Sequence, residues 1–133
     1  MRDELFLIGR IVFGLIFLLY GVRHLTQTEG SAGYAAFKKV PSPRAMVLFT
    51  GVAMLVGAVA IILGIWMDLA ALGVAVFVIA AALFMHRFWE EDDPQTRQVE
   101  MAQFMKNVAI AGGALILVSV AKVAPYTITD GVF

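Results

Sequence analysis

The chain contains no cysteine. A thiol–disulfide mechanism, an iron–sulfur cluster and a zinc–thiolate site therefore cannot be built from its own residues. Net charge is also lacking: ten basic residues balance ten acidic ones, which removes the electrostatic case for binding nucleic acid. Charge of either sign is scarce, at 15% of residues against about 25% in ordinary globular chains. No nucleophile–base signature, phosphate-binding glycine loop or dinucleotide fingerprint is present. No catalytic residue is assigned, and activity of the chain alone stays open.

What the sequence has in excess is apolar surface. Hydrophobic residues make up 61% of 133, against roughly 45–50% typically, too much for one small soluble domain to bury. Four runs approach the roughly 20 apolar residues that a membrane-spanning helix needs: about residues 5–25, 43–65, 68–88 and 103–123. The first run has no small-residue cleavage site after it and reads as a retained span. Ser42-Pro43 and Asp93-Pro94 place a cap residue before a proline at the first helical position, and Asp68 is a candidate cap for the third helix. The fourth helix is expected to begin near Pro94, outside the membrane. The short Trp66-Met67-Asp68 link makes the second and third spans antiparallel neighbours. Between the first two spans, Tyr34 and Phe37 beside Lys38 and Lys39 suit a short helix at the interface. The expectation is one all-α domain over residues 1–133, an up-down-up-down four-helix membrane bundle with an interfacial helix in its first loop.

Small residues at helical spacing suggest how the spans pack, because close backbone approach replaces the hydrophobic drive that lipid does not supply. Arg10, Gly14, Phe17, Gly21 and His24 share one stripe of the first span. Thr50, Ala53, Gly57, Ala60 and Gly64 form a seam on the second. Asn107, Ala111, Ala114, Val118 and Ala121 do the same on the fourth, with Gly112 and Gly113 among the packing glycines. Arg10 is an intramembrane charge; it either snorkels or finds a partner such as Thr127, Asp130 or a headgroup phosphate.

Alternating spans bring the ends of the first and third and the start of the fourth to one mouth of the bundle. This gathers His24, His86, Arg87, Trp89, Glu100, Gln103, Lys106 and Asn107 as candidate ligand-binding residues. Glu100, Gln103 and Asn107 fall on one helix face. The histidines can ligate, pass a proton or hydrogen-bond a quinone, or simply bond to a carbonyl or water at the interface. Two histidines at helix ends are a poor basis for haem, and their spacing matches no established metal motif; no metal site is assigned. Trp66 and Trp89 fit aromatic belts, and the acids Glu90 to Asp93 fit solvated surface with a helix cap. On the side bearing the termini lie Arg2, Arg10 and Lys122; on the other lie Arg23, Lys38, Lys39, Arg44, Arg87, Arg97 and Lys106. That bias makes the loops between spans one and two and between spans three and four cytoplasmic, in an inner (plasma) membrane.

Three stretches, GRIVFGLIFLLYGVRHL, PSPRAMVLFTGVAMLVGAVAIILGIWMDLAALG and MHRFWEEDDPQTRQVEMAQFMKNVAIAGGALIL, resemble the DoxX family of small four-helix membrane proteins. The most specific part is His86, Phe88 and Trp89 followed, after an acidic loop, by Gln103, Phe104, Lys106, Asn107, Gly112 and Gly113. The family takes its name from a subunit of a quinone-linked oxidase associated with thiosulfate:quinone oxidoreduction. Other members are linked to membrane oxidoreductase complexes that handle oxidative or thiol stress, and distant relatives to a cargo receptor and a receptor-assembly chaperone. The resemblance implies a quinone ligand and a soluble oxidoreductase partner, or else a homo-oligomer. Many relatives carry an acid in the second span where this chain has Ala53-Met54-Leu55-Val56-Gly57. Three functions fit: a quinone-interacting or docking subunit of an oxidoreductase complex, a non-catalytic scaffold or assembly factor, and a homo-oligomeric carrier of a small molecule or lipid.

Overall fold

The structure, a computed structural model, describes residues 1–133. It is all-helical: α1 (Arg2–Thr26), α2 (Thr28–Phe37), α3 (Pro43–Leu63), α4 (Met67–Met85) and α5 (Pro94–Val120), with 3-10 turns at Phe88–Glu90 and Ala121–Val123. α1, α3, α4 and α5 are each long and apolar enough to cross a membrane. Their outward faces carry large apolar side chains such as Leu19, Phe49, Val76 and Ile116, all more than half exposed. Lipid is the solvent that makes such a surface stable, and within it a helix satisfies its own backbone. α2 is the short helix in the first loop, docked through Ala32 and Ala35 against Val47 at the start of α3.

The spans pair in sequence order. α1 lies most closely on α3, α4 lies on α5, and α3 joins the two pairs through α4. The core draws on all four: Phe17, Met54, Ala58, Ile61, Ala71, Val74, Val78, Ala111, Ala114 and Leu117. Met54, where many relatives are expected to carry an acid, is an ordinary buried core residue.

On α1 the buried residues are Arg10, Gly14, Phe17 and Gly21, and on α5 they include Asn107, Ala111 and Ala114. On α3 the buried face is Val47, Gly51, Met54, Ala58 and Ile61, which corrects the seam expected through Thr50, Ala53, Gly57, Ala60 and Gly64; of that seam only Gly64, just past the helix, is buried. The periodicity is right but the phase is wrong. The closest approach is made by α1 on α3, and its small residues are Gly14 and Gly21 against Ala58 and Gly51. A methyl at Gly21 would lie 3.0 Å from the Gly51 carbonyl oxygen, and one at Gly14 would lie 3.2 Å from that of Ala58. Gly57 faces α4 instead, with only Val74 at 4.0 Å. Gly112 is no packing residue, because nothing lies within 4 Å of its added methyl, and Gly113 meets only the Phe13 ring, at 3.6 Å.

Helix ends differ from expectation in instructive ways. α4 stops at Met85, short of residue 88. The chain then turns through Phe88–Glu90 so that Phe88 and Trp89 pack edge-on against Phe104 of α5, with ring centroids 5.5 and 5.8 Å away. Asp93 caps α5, its Oδ2 accepting from the Thr96 amide at 2.8 Å; that bond holds its carboxyl below the usual range. Ser42 precedes Pro43 but makes no side-chain cap. Asp68 is not the N-cap of α4. That position is Trp66, in a left-handed conformation with φ 42°, and Asp68 sits fully buried in the first turn.

If the α1–α3 approach sets the bundle, Gly21→Ala should destabilise it by about 1–3 kcal/mol through overpacking against backbone. Gly112→Ala should be neutral or stabilising by up to about 1 kcal/mol through helix propensity. Reversible unfolding in mixed micelles measures both; equal shifts for the two variants would contradict the packing described.

Candidate functional site

Glu100 lies in the second turn of α5 and is only 8% exposed. Both its oxygens are used. Oε1 accepts from Lys38 Nζ at 2.8 Å, and Oε2 lies 2.8 Å from His86 Nδ1. Three separate elements meet here: the end of α2 supplies Lys38, the break after α4 supplies His86, and α5 supplies the carboxylate. The break at Met85 is what frees the His86 ring to turn toward α5 rather than continue the helix.

Lys38 is a rare thing, a lysine only 9% exposed, and such a charge must be paired. Besides Glu100, it has the Glu91 carboxylate at 3.5 Å and the rings of Tyr34 and Phe37 about 6 Å from its ammonium (cation–π contacts). Burial alone would lower the amine. The hydrogen bond to Glu100, with Tyr34 and Glu91, outweighs it and holds Lys38 above its ordinary value. Burial, followed by the charge on Glu100, pushes the Tyr34 phenol up, so the lysine stays charged and the tyrosine neutral near neutral pH. Arg87 ties the same corner together: Nη2 donates to the Lys38 carbonyl at 2.8 Å and Nη1 to Glu90 at 3.3 Å.

The chemistry of His86 follows from this arrangement. Beside the Lys38 ammonium, the carboxylate of Glu100 is the acceptor, so Nδ1 carries the proton. That leaves Nε2, which makes no hydrogen bond within the protein, as the ring's outward acceptor. A second polar group is also free: Asn107, two turns along α5 and about 10 Å from Glu100 by helix rise, is 7% exposed and its side chain makes no hydrogen bond.

The mouth expected from topology is thus only partly one site. His86, Arg87 and Glu100 come together, and Trp89 stands beside them against Phe88 and Phe104. His24 does not join: its Nδ1 pairs with Thr50 Oγ1 of α3 at 3.2 Å. Lys106 donates to Gln103 Oε1, a neighbouring pair on α5 with the lysine exposed. The two imidazoles have different partners, and no group of three metal-type side chains forms. Lys38 is the residue missed. Its signal was a lysine following Tyr34 and Phe37 on a short interfacial helix, but nothing local says that this lysine turns inward.

The opposite end holds the other buried charges. Arg10 is 1% exposed. Its Nη1 and Nη2 donate to the carbonyls of Pro125 and Tyr126 at 3.3 and 2.7 Å, while Nε is buried with no partner. The expected partners Thr127 and Asp130 do not serve: the tail supplies backbone carbonyls, and the Thr127 hydroxyl turns back to Ala124 at 3.5 Å. Asp68 accepts from the Leu69 amide at 2.8 Å and the Phe133 amide at 2.7 Å. The tail is also pinned at Gly64, whose carbonyl accepts from Ile128 and Thr129 at 3.1 and 3.2 Å. Gly64 has φ 68°, and a methyl there would lie 2.8 Å from Arg10 Nη1 and from Thr127, so only glycine fits.

Four apolar spans, no strand, and polar clusters confined to the two ends define a multi-pass helical membrane protein. The chain belongs to the DoxX family, whose family model matches residues 5–87. That match includes Arg10, Lys38 and His86 and stops before Glu100. The chain is also similar to the inner membrane protein YphA of Escherichia coli (strain K12), at 29% identity over 116 residues, covering 87% of this chain and 82% of that protein. No solved structure gives a significant match.

Removing one member of a buried ion pair strands the other. Glu100→Gln should therefore destabilise the protein by about 3 kcal/mol, and Lys38→Met by a similar amount. The double variant should cost clearly less than the sum. A double-mutant cycle in mixed micelles tests this, and strict additivity would show that the two side chains do not interact.

Proposed function

We propose that this protein is a quinone-interacting membrane subunit that docks a soluble oxidoreductase, with the Glu100 end of the bundle as its ligand end. One observation carries this reading: a buried, charge-balanced Lys38–Glu100–His86 chain sits at a span end and leaves His86 Nε2 unused. A quinone needs polar partners for its carbonyls and an apolar environment for its tail. Arg87 supplies a donor for a carbonyl of the quinone and His86 Nε2 an acceptor for the hydroxyl of the quinol; the Phe88, Trp89 and Phe104 rings and the lipid-facing spans supply the apolar surroundings. Asn107 offers a further donor along the same helix.

The division of labour follows from the side chains present. No residue is a redox centre, so electrons come from the docked partner. The residues of this chain hold the ring and exchange protons: a quinol hydroxyl can pass its proton to His86 Nε2, and the imidazolium so formed is held at Nδ1 by the Glu100 carboxylate. With the two larger loops cytoplasmic, as the distribution of Lys and Arg favours, this end faces a cytoplasmic partner.

The test is native mass spectrometry of protein extracted gently from its own membrane, followed by titration with a short-chain quinone. Trp89 fluorescence in a Trp66→Phe background reports the binding. The wild type should retain quinone, and His86→Ala should bind it roughly tenfold or more weakly while remaining helical. A protein free of quinone with a stoichiometric protein partner would instead support a scaffold. Ligand flux in liposomes would support a homo-oligomeric carrier.

A further inference from the structure

The buried charge of Arg10 has no counter-ion. It forms no ion pair, and Asp68, the other buried charge at that end, is committed to the amides of Leu69 and Phe133. Arg10 has only two neutral carbonyls and the Phe6 ring, 6.0 Å from its guanidinium carbon. Its Nε has no partner at all. One of the two carbonyls belongs to Tyr126, which holds a left-handed backbone with φ 55°, a conformation costly for a residue with a side chain. Charge-assisted hydrogen bonds to an anion are roughly twice as strong as those to a neutral acceptor. A guanidinium held this way is poised for a better partner.

A groove borders two of the residues that hold it. An open groove of about 380 Å³ runs between the start of α1 and the end of α5, with Leu5, Phe6, Val120, Val123 and Ala124 as apolar wall. Two of its lining residues, Phe6 and Pro125, also contact Arg10. Arg2 and Asp3, a cation and an anion, also line the groove; Arg10 is the buried charge beside it. The volume is near the lower end of the roughly 300–1,000 Å³ of ligand pockets, which suits a single chain.

From these contacts we infer that the Arg10 end is a binding site for a single-chain, monoanionic membrane amphiphile, whose carboxylate pairs with the Arg10 guanidinium and whose chain lies in the groove between α1 and α5. Binding exchanges at least one tail carbonyl for the carboxylate, so the residues around Tyr126 move aside as the head enters. This site lies at the far end of the bundle from Glu100 and is independent of the quinone reading.

Oleate, with oleyl alcohol as its uncharged match, is the probe. It is titrated into the detergent-solubilised full chain and read by native mass spectrometry. Saturable binding of oleate, weakened roughly ten- to a hundredfold in Arg10→Gln and much weaker for oleyl alcohol, is the expected result. Val120→Trp fills the groove and leaves Arg10 in place; it should also abolish oleate binding, and it decides the matter if Arg10→Gln does not fold. Undiminished oleate binding by either folded variant, or equal binding of oleyl alcohol, would overturn the proposal. Displacement of oleate by millimolar inorganic phosphate would overturn it too, by showing a site for small anions; oleate that persists against phosphate supports it.

Discussion

In a bilayer the decisive constraint is that water is absent from the middle of the structure. Every buried charge must be satisfied by the chain itself or by something the membrane delivers. This protein buries charges at both ends of its bundle, and its irregular segments are arranged around them. The chain breaks after Met85 where His86 must reach Glu100. It turns left-handed at Gly64 and Tyr126 where the tail meets Arg10. Between these ends the spans are plain helices with an alanine-rich interior, because nothing there needs more than close packing.

The two ends solve the constraint differently. Around Glu100 opposite charges neutralise each other directly, with aromatic rings closing over the ammonium. Such a cluster is self-sufficient, and it holds His86 in place by an internal partner. Around Arg10 and Asp68 the charges remain apart, each facing backbone dipoles of one tail. Membership of the DoxX family fixes the four-span frame; the contrast between the ends gives this chain two chemically distinct surfaces at opposite faces of one membrane.

Much of the frame is legible from sequence because it depends on local properties. Run length marks four spans, the Asp93-Pro94 pair marks where α5 starts, and the aromatic–lysine mixture marks α2. The stripe from Arg10 to Gly21 on α1 is visible because one helix carries all its unusual residues on one side. On α3 small residues occur on two faces, so spacing alone could not choose between Gly57 and Gly51; that choice depends on the rotation of α3 against α1. Lys38 was hidden for a related reason. Whether an interfacial lysine points to water or inward depends on the docking of α2 against α3 and on a carboxylate 62 residues away. The tail carbonyls that hold Arg10 have no side-chain signature at all, since any residue can supply a carbonyl.

The partnership between Arg10 and the tail also has a time dimension. The carbonyls of Pro125 and Tyr126 lie 115 and 116 residues downstream of the arginine they hold. At about 5–20 residues per second of synthesis, Arg10 waits on the order of ten seconds before those residues exist. During insertion the first span therefore presents a lone guanidinium that only lipid headgroups or the insertion machinery can accommodate. Closure of the tail over Arg10, Gly64 and Asp68 thus cannot precede synthesis of the fourth span.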